Sequence, residues 1–418
     1  MGRAGSDDDE RDVGGQSYSA DMTDLRTDAG WRLLDGSPTA WFAAGSLTQS
    51  AAFGARVVEL APEAAVDVRP TGARVRLSSD EHTGEVSTAA RDLGLVPDPA
   101  ALQHVSVVLE STDPSAVRPF WQSALGHDTA PDGRLVDPWR RDPAFEFRDS
   151  TEVRPLRNRI HVDVVRPAEV VERAGLGEAS GPYGVCHTDA DGNEVDLVPG
   201  DPLEESGTPP EATADWRAVF AAQACYRVGS PAQQRDVVAA VAELADEAGF
   251  PLLVDLRPGL VVLDSGKDQW EADAHGLDVD FTALAARLQS AAREQGGTVD
   301  VALPRLVQLV LDAADVPALR AFWAAALGYV PDRRAGVTDL VDPRRLNPVV
   351  LFQDLDVTQT QRQLQRNRLH VELEVPADLA VARVAAAVEA GGRLLDQSPG
   401  RWLLADPESN ELVVVAGA

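Results

Sequence analysis

The sequence predicts an α+β protein made by internal duplication, in which each copy is a small front domain followed by a larger back domain. Three observations lead there: ordered repeats, periodicity that switches between strand and helix inside each repeat, and an acidic Pro/Gly-rich segment between the copies. In the back half, "STDPSAVRPFWQSALGH" (111–127) returns as "AADVPALRAFWAAALGY" (313–329), and "GRLVDPWRRDPAFEFRD" (133–149) as "TDLVDPRRLNPVVLFQD" (338–354). "NRIHVDV" (158–164) returns as "NRLHVEL" (367–373), and "DADGNEVDLV" (189–198) as "ADPESNELVVV" (405–415). The front repeats more faintly: "GWRLL" (30–34) with "DWRAV" (215–219), and "VDVRPTGARVRL" (66–77) with "VDLRPGLVVL" (254–263).

The elements follow in order from spacing. "HVSVVLE" (104–110) alternates and is Val-rich, the pattern of a half-buried strand. Asp113 and Pro114 then suit the cap and first turn of a helix. Its apolar stripe is Val117, Phe120, Trp121, Ala124 and Leu125, and Gly126 ends it. Pro119 is expected to bend that helix. Copy two repeats the stripe with Leu319, Phe322, Trp323, Ala326 and Leu327, closed by Gly328. Short strands are expected around 134–136 and 145–148. A second strand–helix–strand unit begins at each "NR-H" block. Its helix carries Val381, Val384, Ala385 and Val388 in copy two and shrinks to "PAEVVERAG" in copy one.

These readings give domains at 23–98, 99–200, 214–300 and 301–418, with a disordered acidic tail at 1–22 and a linker at 201–213. The 418 residues carry a formal net charge of −29, and no basic cluster interrupts it. Such a polyanion repels nucleic acid and anionic lipid. No apolar run reaches membrane-spanning length, no secretory signal is recognisable, and Cys186 and Cys225 are the only cysteines. A cytoplasmic protein acting on a small molecule, as monomer or homodimer, is the expectation.

The blocks "DPSAVRPFWQSALG", "NRIHVDV" and "DADGNEVDLV", with their counterparts in copy two, resemble the glyoxalase, bleomycin-resistance and dioxygenase superfamily (vicinal oxygen chelate fold). The resemblance covers 104–199 and 305–416. It implies paired βαβββ modules around a cavity that holds a divalent metal in many members and a small molecule without metal in others. It also implies that the two back domains can pack together within one chain. The front domains resemble a degenerate pterin-4a-carbinolamine dehydratase, through Trp31 and Trp216, the "VVELA" and "VAELA" helices, and the "VDVRP" and "VDLRP" strands. That family's paired histidines would fall at Gly249, Phe250 and Pro251 in copy two, and near Ala64–Ala65 in copy one. No imidazole stands there to carry acid–base chemistry. His82 and Trp270 match a later position of the motif.

By the same resemblance, metal ligands in copy one would be His104, Glu146, His161 and Glu194, with Glu194 also accepting a substrate proton. Strand alternation puts each on the more polar face: His104 with Ser106, Glu146 with Arg148, His161 with Asp163, and Glu194 with Asp196. Two imidazoles and two carboxylates suit Zn, Ni, Mn or Fe. Copy two has Leu306 and Leu351 where copy one has His104 and Glu146, but keeps His370 and Glu411. A structural reading therefore stands beside the metal one, with Asn158, Arg159 and His161 holding a strand end and Asn193 and Glu194 a turn. Three functions remain open: a metal-dependent lyase, isomerase or dioxygenase; a small-molecule binding or sequestration protein; and residual dehydratase activity on a pterin. His127, His187 and His275 are expected at the surface or in turns.

Overall fold

A computed structural model describes residues 30–203 and 210–417. The tail expected at 1–22, and residues 204–209 of the linker expected at 201–213, lie outside the described residues.

The helices form where the stripes place them. Asp113 caps Pro114–Leu125 by accepting from the backbone N–H of Ser115 and Ala116, and Gly126 ends the helix at φ 63. Asp315 and Gly328 do the same for Val316–Leu327, with Gly328 at φ 68. Both glycines stand where a Cβ would meet a guanidinium, that of Arg166 or Arg383. Those arginines donate to the last carbonyls of the helices, Arg166 to Ser123 and Ala124, Arg383 to Ala326. Trp121 and Trp323 are buried core residues, and each indole N–H donates to an aspartate, Asp189 at 2.9 Å and Asp406 at 3.0 Å.

The sheets pair differently from the expectation that each back domain closes on itself. Strand His104–Ser111, from the first module of copy one, runs antiparallel to Leu369–Pro376 of copy two, with Val108 opposite His370. Strand Ile160–Pro167, from the second module of copy one, runs antiparallel to Leu306–Ala313 of copy two, with His161 opposite Val310. Each back sheet is thus a hybrid: first module of one copy, second module of the other. One is an eight-stranded sheet from Arg393–Ser398 to Asp128–Thr129. The other runs from Cys186–Thr188 through Glu194–Pro202, Ile160–Pro167, Leu306–Ala313 and Val350–Asp354. Alternation fixes which face of a strand is apolar but is silent on which edge it pairs with, so the exchange was not readable from periodicity. One apolar core, with Val107, Ile160, Leu309 and Val371 at its centre, backs both sheets.

The "NR" motif ties the exchange. The side-chain oxygen of Asn158 accepts from Arg368 N–H at 3.0 Å, and that of Asn367 accepts from Arg159 N–H at 2.8 Å. Arg368 reaches into the 189–193 turn of copy one, donating to Asn193 Oδ1, while Arg159 donates to the Glu408 carbonyl of copy two. Within each turn one aspartate organises the loop: Asp189 accepts from Asp191 and Asn193, Asp406 from Glu408 and Asn410. The structural reading of these asparagines and arginines holds.

The front domains also pair across copies. Strand Ala65–Arg69 runs antiparallel to Leu253–Arg257, and helix Leu47–Leu60 packs on Pro231–Ala248. Asp67 lies opposite Asp255, and each takes a guanidinium from the other copy's strand, Arg257 for Asp67 and Arg69 for Asp255. Strand Glu194–Pro202 runs on into the front sheet, where Asp201 and Pro202 pair with Ala218 and Arg217, so 201–202 is ladder and not loose linker. In helix Ala377–Glu389, Val381 and Val388 are exposed while Ala380 and Ala387 are buried, which corrects the expected stripe. His127 and His275, expected at the surface or in turns, are buried. Burial pushes the Cys186 thiol up to about 11 and Cys225 up to about 12, as befits inert thiols.

Candidate metal site and polar cavities

Because the modules exchange, the four residues picked from the sequence fall on two sheets. His104 and Glu146 stand on the eight-stranded sheet, His161 and Glu194 on the other. The structure does not bring them together. Glu146 takes a bidentate pair from Arg148, at 2.7 and 3.1 Å. Glu194 is bound by Arg157. His104 faces Asp35 of the front domain, 3.9 Å from its carboxylate. Burial, opposed by Asp35, carries His104 down to about 4.

A different cluster gathers around His161. The ligand atoms of His161, Asp163 and Asp196 lie within 4.8 Å of one another. Asp163 lies beside Asp196 in the parallel ladder and opposite Gln308 in the antiparallel one. Gln308 Nε2 donates to Asp163 Oδ2 at 2.7 Å. His161, Asp163 and Gln308 are each more than nine-tenths buried. Three of their polar atoms have no hydrogen-bond partner: His161 Nδ1, Asp163 Oδ1 and Gln308 Oε1. Burial pushes Asp163 up to about 6, and the nearby Asp196 charge adds to it, against the pull of His161 and Gln308. Leaving buried polar atoms unpaired costs about 1–3 kcal/mol each, so a cluster of them marks a place prepared for something else.

The counterpart on the eight-stranded sheet is built otherwise. Glu110, His370 and Glu411 also bring ligand atoms within 4.8 Å. Here, however, Arg366 bridges both carboxylates, at 2.6 and 2.8 Å to Glu110 and at 2.6 and 2.8 Å to Glu411. Two guanidiniums, Arg366 and Arg154, already neutralise the pair, so this set does not fit a metal ion. Burial raises Glu110, but Arg366 and Arg154 outweigh it and hold its carboxyl low. Burial and the Arg148 charge push His370 down to about 4, so it is neutral. Two polar cavities adjoin this face. One, of about 180 Å³, is lined by His370, Arg148, Arg366 and Arg401; the other, of about 270 Å³, by His104, Ser106, Glu146 and Glu372.

Sequence reasoning found His161 and placed Asp163 and Asp196 on its side of the strands, but it did not connect them to Gln308 on the other copy. The dehydratase-like positions have structural jobs. Gly249 ends helix Pro231–Ala248 at φ 68, and Phe250 is core, packed on Phe281 and on the His275 ring.

The family model of the glyoxalase-like domain matches residues 106–198 and 308–415, and leaves the front regions outside. Among solved structures, glyoxalase I from Zea mays is 13% identical over 75% of this chain and 92% of its own, with a TM-score of 0.38. A glyoxalase-related enzyme from Fulvimarina pelagi is 20% identical over 26% of this chain and 84% of its own, with a TM-score of 0.21. The cppA protein of Streptococcus pneumoniae is 10% identical over 75% of this chain and 97% of its own, with a TM-score of 0.32. The search of curated proteins gives no match. No helix among the described residues is long and apolar enough to cross a membrane.

Proposed function

We propose that this protein with two glyoxalase-like domains binds a divalent metal ion through His161, Asp163 and Asp196, with Gln308 as a further oxygen donor, and acts there on a small oxygenated molecule. One observation carries the reading: buried His161 Nδ1, Asp163 Oδ1 and Gln308 Oε1 make no hydrogen bond, and beside them stands a second carboxylate, with His161 Nε2 3.6 Å from Asp163 Oδ1. One imidazole with several oxygens suits Zn, Ni, Mn or Fe(II). Bound there, such an ion supplies Lewis acidity to a coordinated oxygen, the chemistry that metal-dependent lyases, isomerases and dioxygenases share. Gln308 orients Asp163 through its 2.7 Å hydrogen bond. Glu194, on the strand face of Asp196 and positioned by Arg157, is the carboxylate we assign to accept a substrate proton.

Metal analysis of the untagged protein tests this. The expected result is close to one divalent ion per chain, lost on Asp163→Asn, with a thermal midpoint that falls in chelator. A wild-type protein that takes up no metal, and whose midpoint ignores chelator, would end the proposal.

A second reading attaches to the eight-stranded sheet. Its carboxylates are satisfied by Arg148, Arg366 and Arg401 beside open polar cavities. That arrangement favours metal-free binding of a small polar molecule. Ligand-induced stabilisation that persists in chelator and is lost on Arg401→Ala would support it; stabilisation unaffected by that substitution would not.

A further inference from the structure

The eight-stranded sheet ends on an open strand. Arg393–Ser398 forms its outer edge, and all six residues are exposed. The opposite edge, Asp128–Thr129, is two residues long. In the other hybrid sheet the corresponding strand is reduced to one bridge, Ser180 with Cys186. Copy two has therefore kept a full strand edge where copy one has not. Such an edge offers unpaired N–H and C=O groups to another strand. This one adds apolar surface. Leu394 and Leu395 are 46% and 49% exposed, and so is 41% of Val388, near the end of helix Ala377–Glu389 in the same module.

The charges on this edge are self-complementary. A register shift at Leu395 sets Arg393 opposite Ala405 and Asp396 opposite Leu403. Those partners lie two residues apart on strand Arg401–Ala405, so Arg393 and Asp396 share one face of the sheet. It is the face of the 180 Å³ cavity, which Asp396, Ser398, Arg401 and Leu403 line. Leu394 lies opposite Leu404, a core residue, so it takes the other face, the one the helices cover. Among the described residues neither Arg393 nor Asp396 makes an ion pair. Arg393 donates to Ser409 Oγ at 2.7 Å, and Asp396 accepts from the N–H of Gln397. Two such strands laid antiparallel about a two-fold axis at Leu394–Leu395 bring each Arg393 beside the other's Asp396, and bring the leucines together. Bulge and charges deter an arbitrary strand. Against a second copy of itself the same strand is matched.

We propose that Arg393–Ser398 is an interaction surface for a second copy of this chain, and that two molecules join their eight-stranded sheets edge to edge through it. Each molecule then receives the partner's Arg393 beside its own Asp396, on the rim of the polar cavity. Six residues a side make a small interface, so the dimer is a reversible one. The inference is independent of the metal reading above.

Sedimentation velocity of the full chain over a concentration series tests it. The net charge of −29 repels two copies at long range, so the series is run at about 0.15 M salt, where the Debye length is about 8 Å. Wild type should pass from the 44.5 kDa of one chain to twice that mass as concentration rises to about 200 µM. Arg393→Asp and Asp396→Arg each set like charges together at both contacts of the dimer, and each should weaken self-association about tenfold or more. Mixed one to one, the two variants regain opposite charges at both contacts and should form a heterodimer about as tight as the wild-type dimer. That rescue separates loss of the edge contact from misfolding. A wild type that stays monomeric throughout overturns the proposal. So do variants that dimerise as wild type does, or a mixture that fails to associate. A monomer that dimerises once residues 1–29 are removed gives the edge to the chain's own N-terminal segment, and overturns it too.

Discussion

At the residue scale, Asp189 and Asp406 show how one carboxylate can define a repeat. Each accepts from two backbone N–H groups, an asparagine amide and a core tryptophan indole. Replacing Asp189 by Ala leaves those donors without an acceptor, and should cost about 2–4 kcal/mol in urea unfolding. A loss below about 0.5 kcal/mol would mean that the turn holds itself. The buried histidines set a pH response. Burial, then the Arg305 charge, carry His127 down to about 3. The unfolded chain takes up that proton below about pH 6.5 while the folded one does not, so stability is complete above 6.5 and lost as pH falls. The slope from one such group approaches about 1.4 kcal/mol per pH unit. The His127→Leu protein should therefore lose less stability than wild type between pH 6.5 and 5; equal slopes would contradict this.

At the element scale, the helices, their caps and the faces of the strands were legible, because spacing, Asp-Pro starts and Gly ends are local signals. The Leu319–Leu327 stripe came through whole. Val381 and Val388 misled because helix Ala377–Glu389 is apolar nearly all round, so spacing could not say which side is covered; the alanines are. The paired "VD-RP" strands hid their meaning for another reason: their charges answer residues of the other copy. Asp67 is buried between Arg257 and Arg74, so Asp67→Ala should destabilise by about 3–5 kcal/mol, since it strands buried guanidiniums. A change near zero in denaturant unfolding would mean that water reaches this junction.

At the scale of the whole molecule, duplication has let one chain carry what two copies would otherwise share. Each back sheet draws on both copies, the front strands pair across them, and the "NR" arms cross between them. This is why a ligand set drawn within one copy could not assemble, and why Gln308 was invisible beside His161 in sequence. The duplication was legible; the exchange was not, because no local signal records which strand edge meets which. Residues 1–206 and 207–418 expressed separately should each fail to give a monomeric, cooperatively unfolding domain, whereas co-expressed they should copurify. Two independently folded halves that ignore each other in size-exclusion chromatography would contradict the interlock.

On the proposed function, the metal-binding residues are those of the hybrid sheet and not those of one repeat. Isothermal titration of Ni²⁺ into His161→Ala and His104→Ala, side by side with wild type, tests it most directly. His161→Ala should abolish binding while His104→Ala binds as wild type does. Binding lost in His104→Ala and kept in His161→Ala would contradict it.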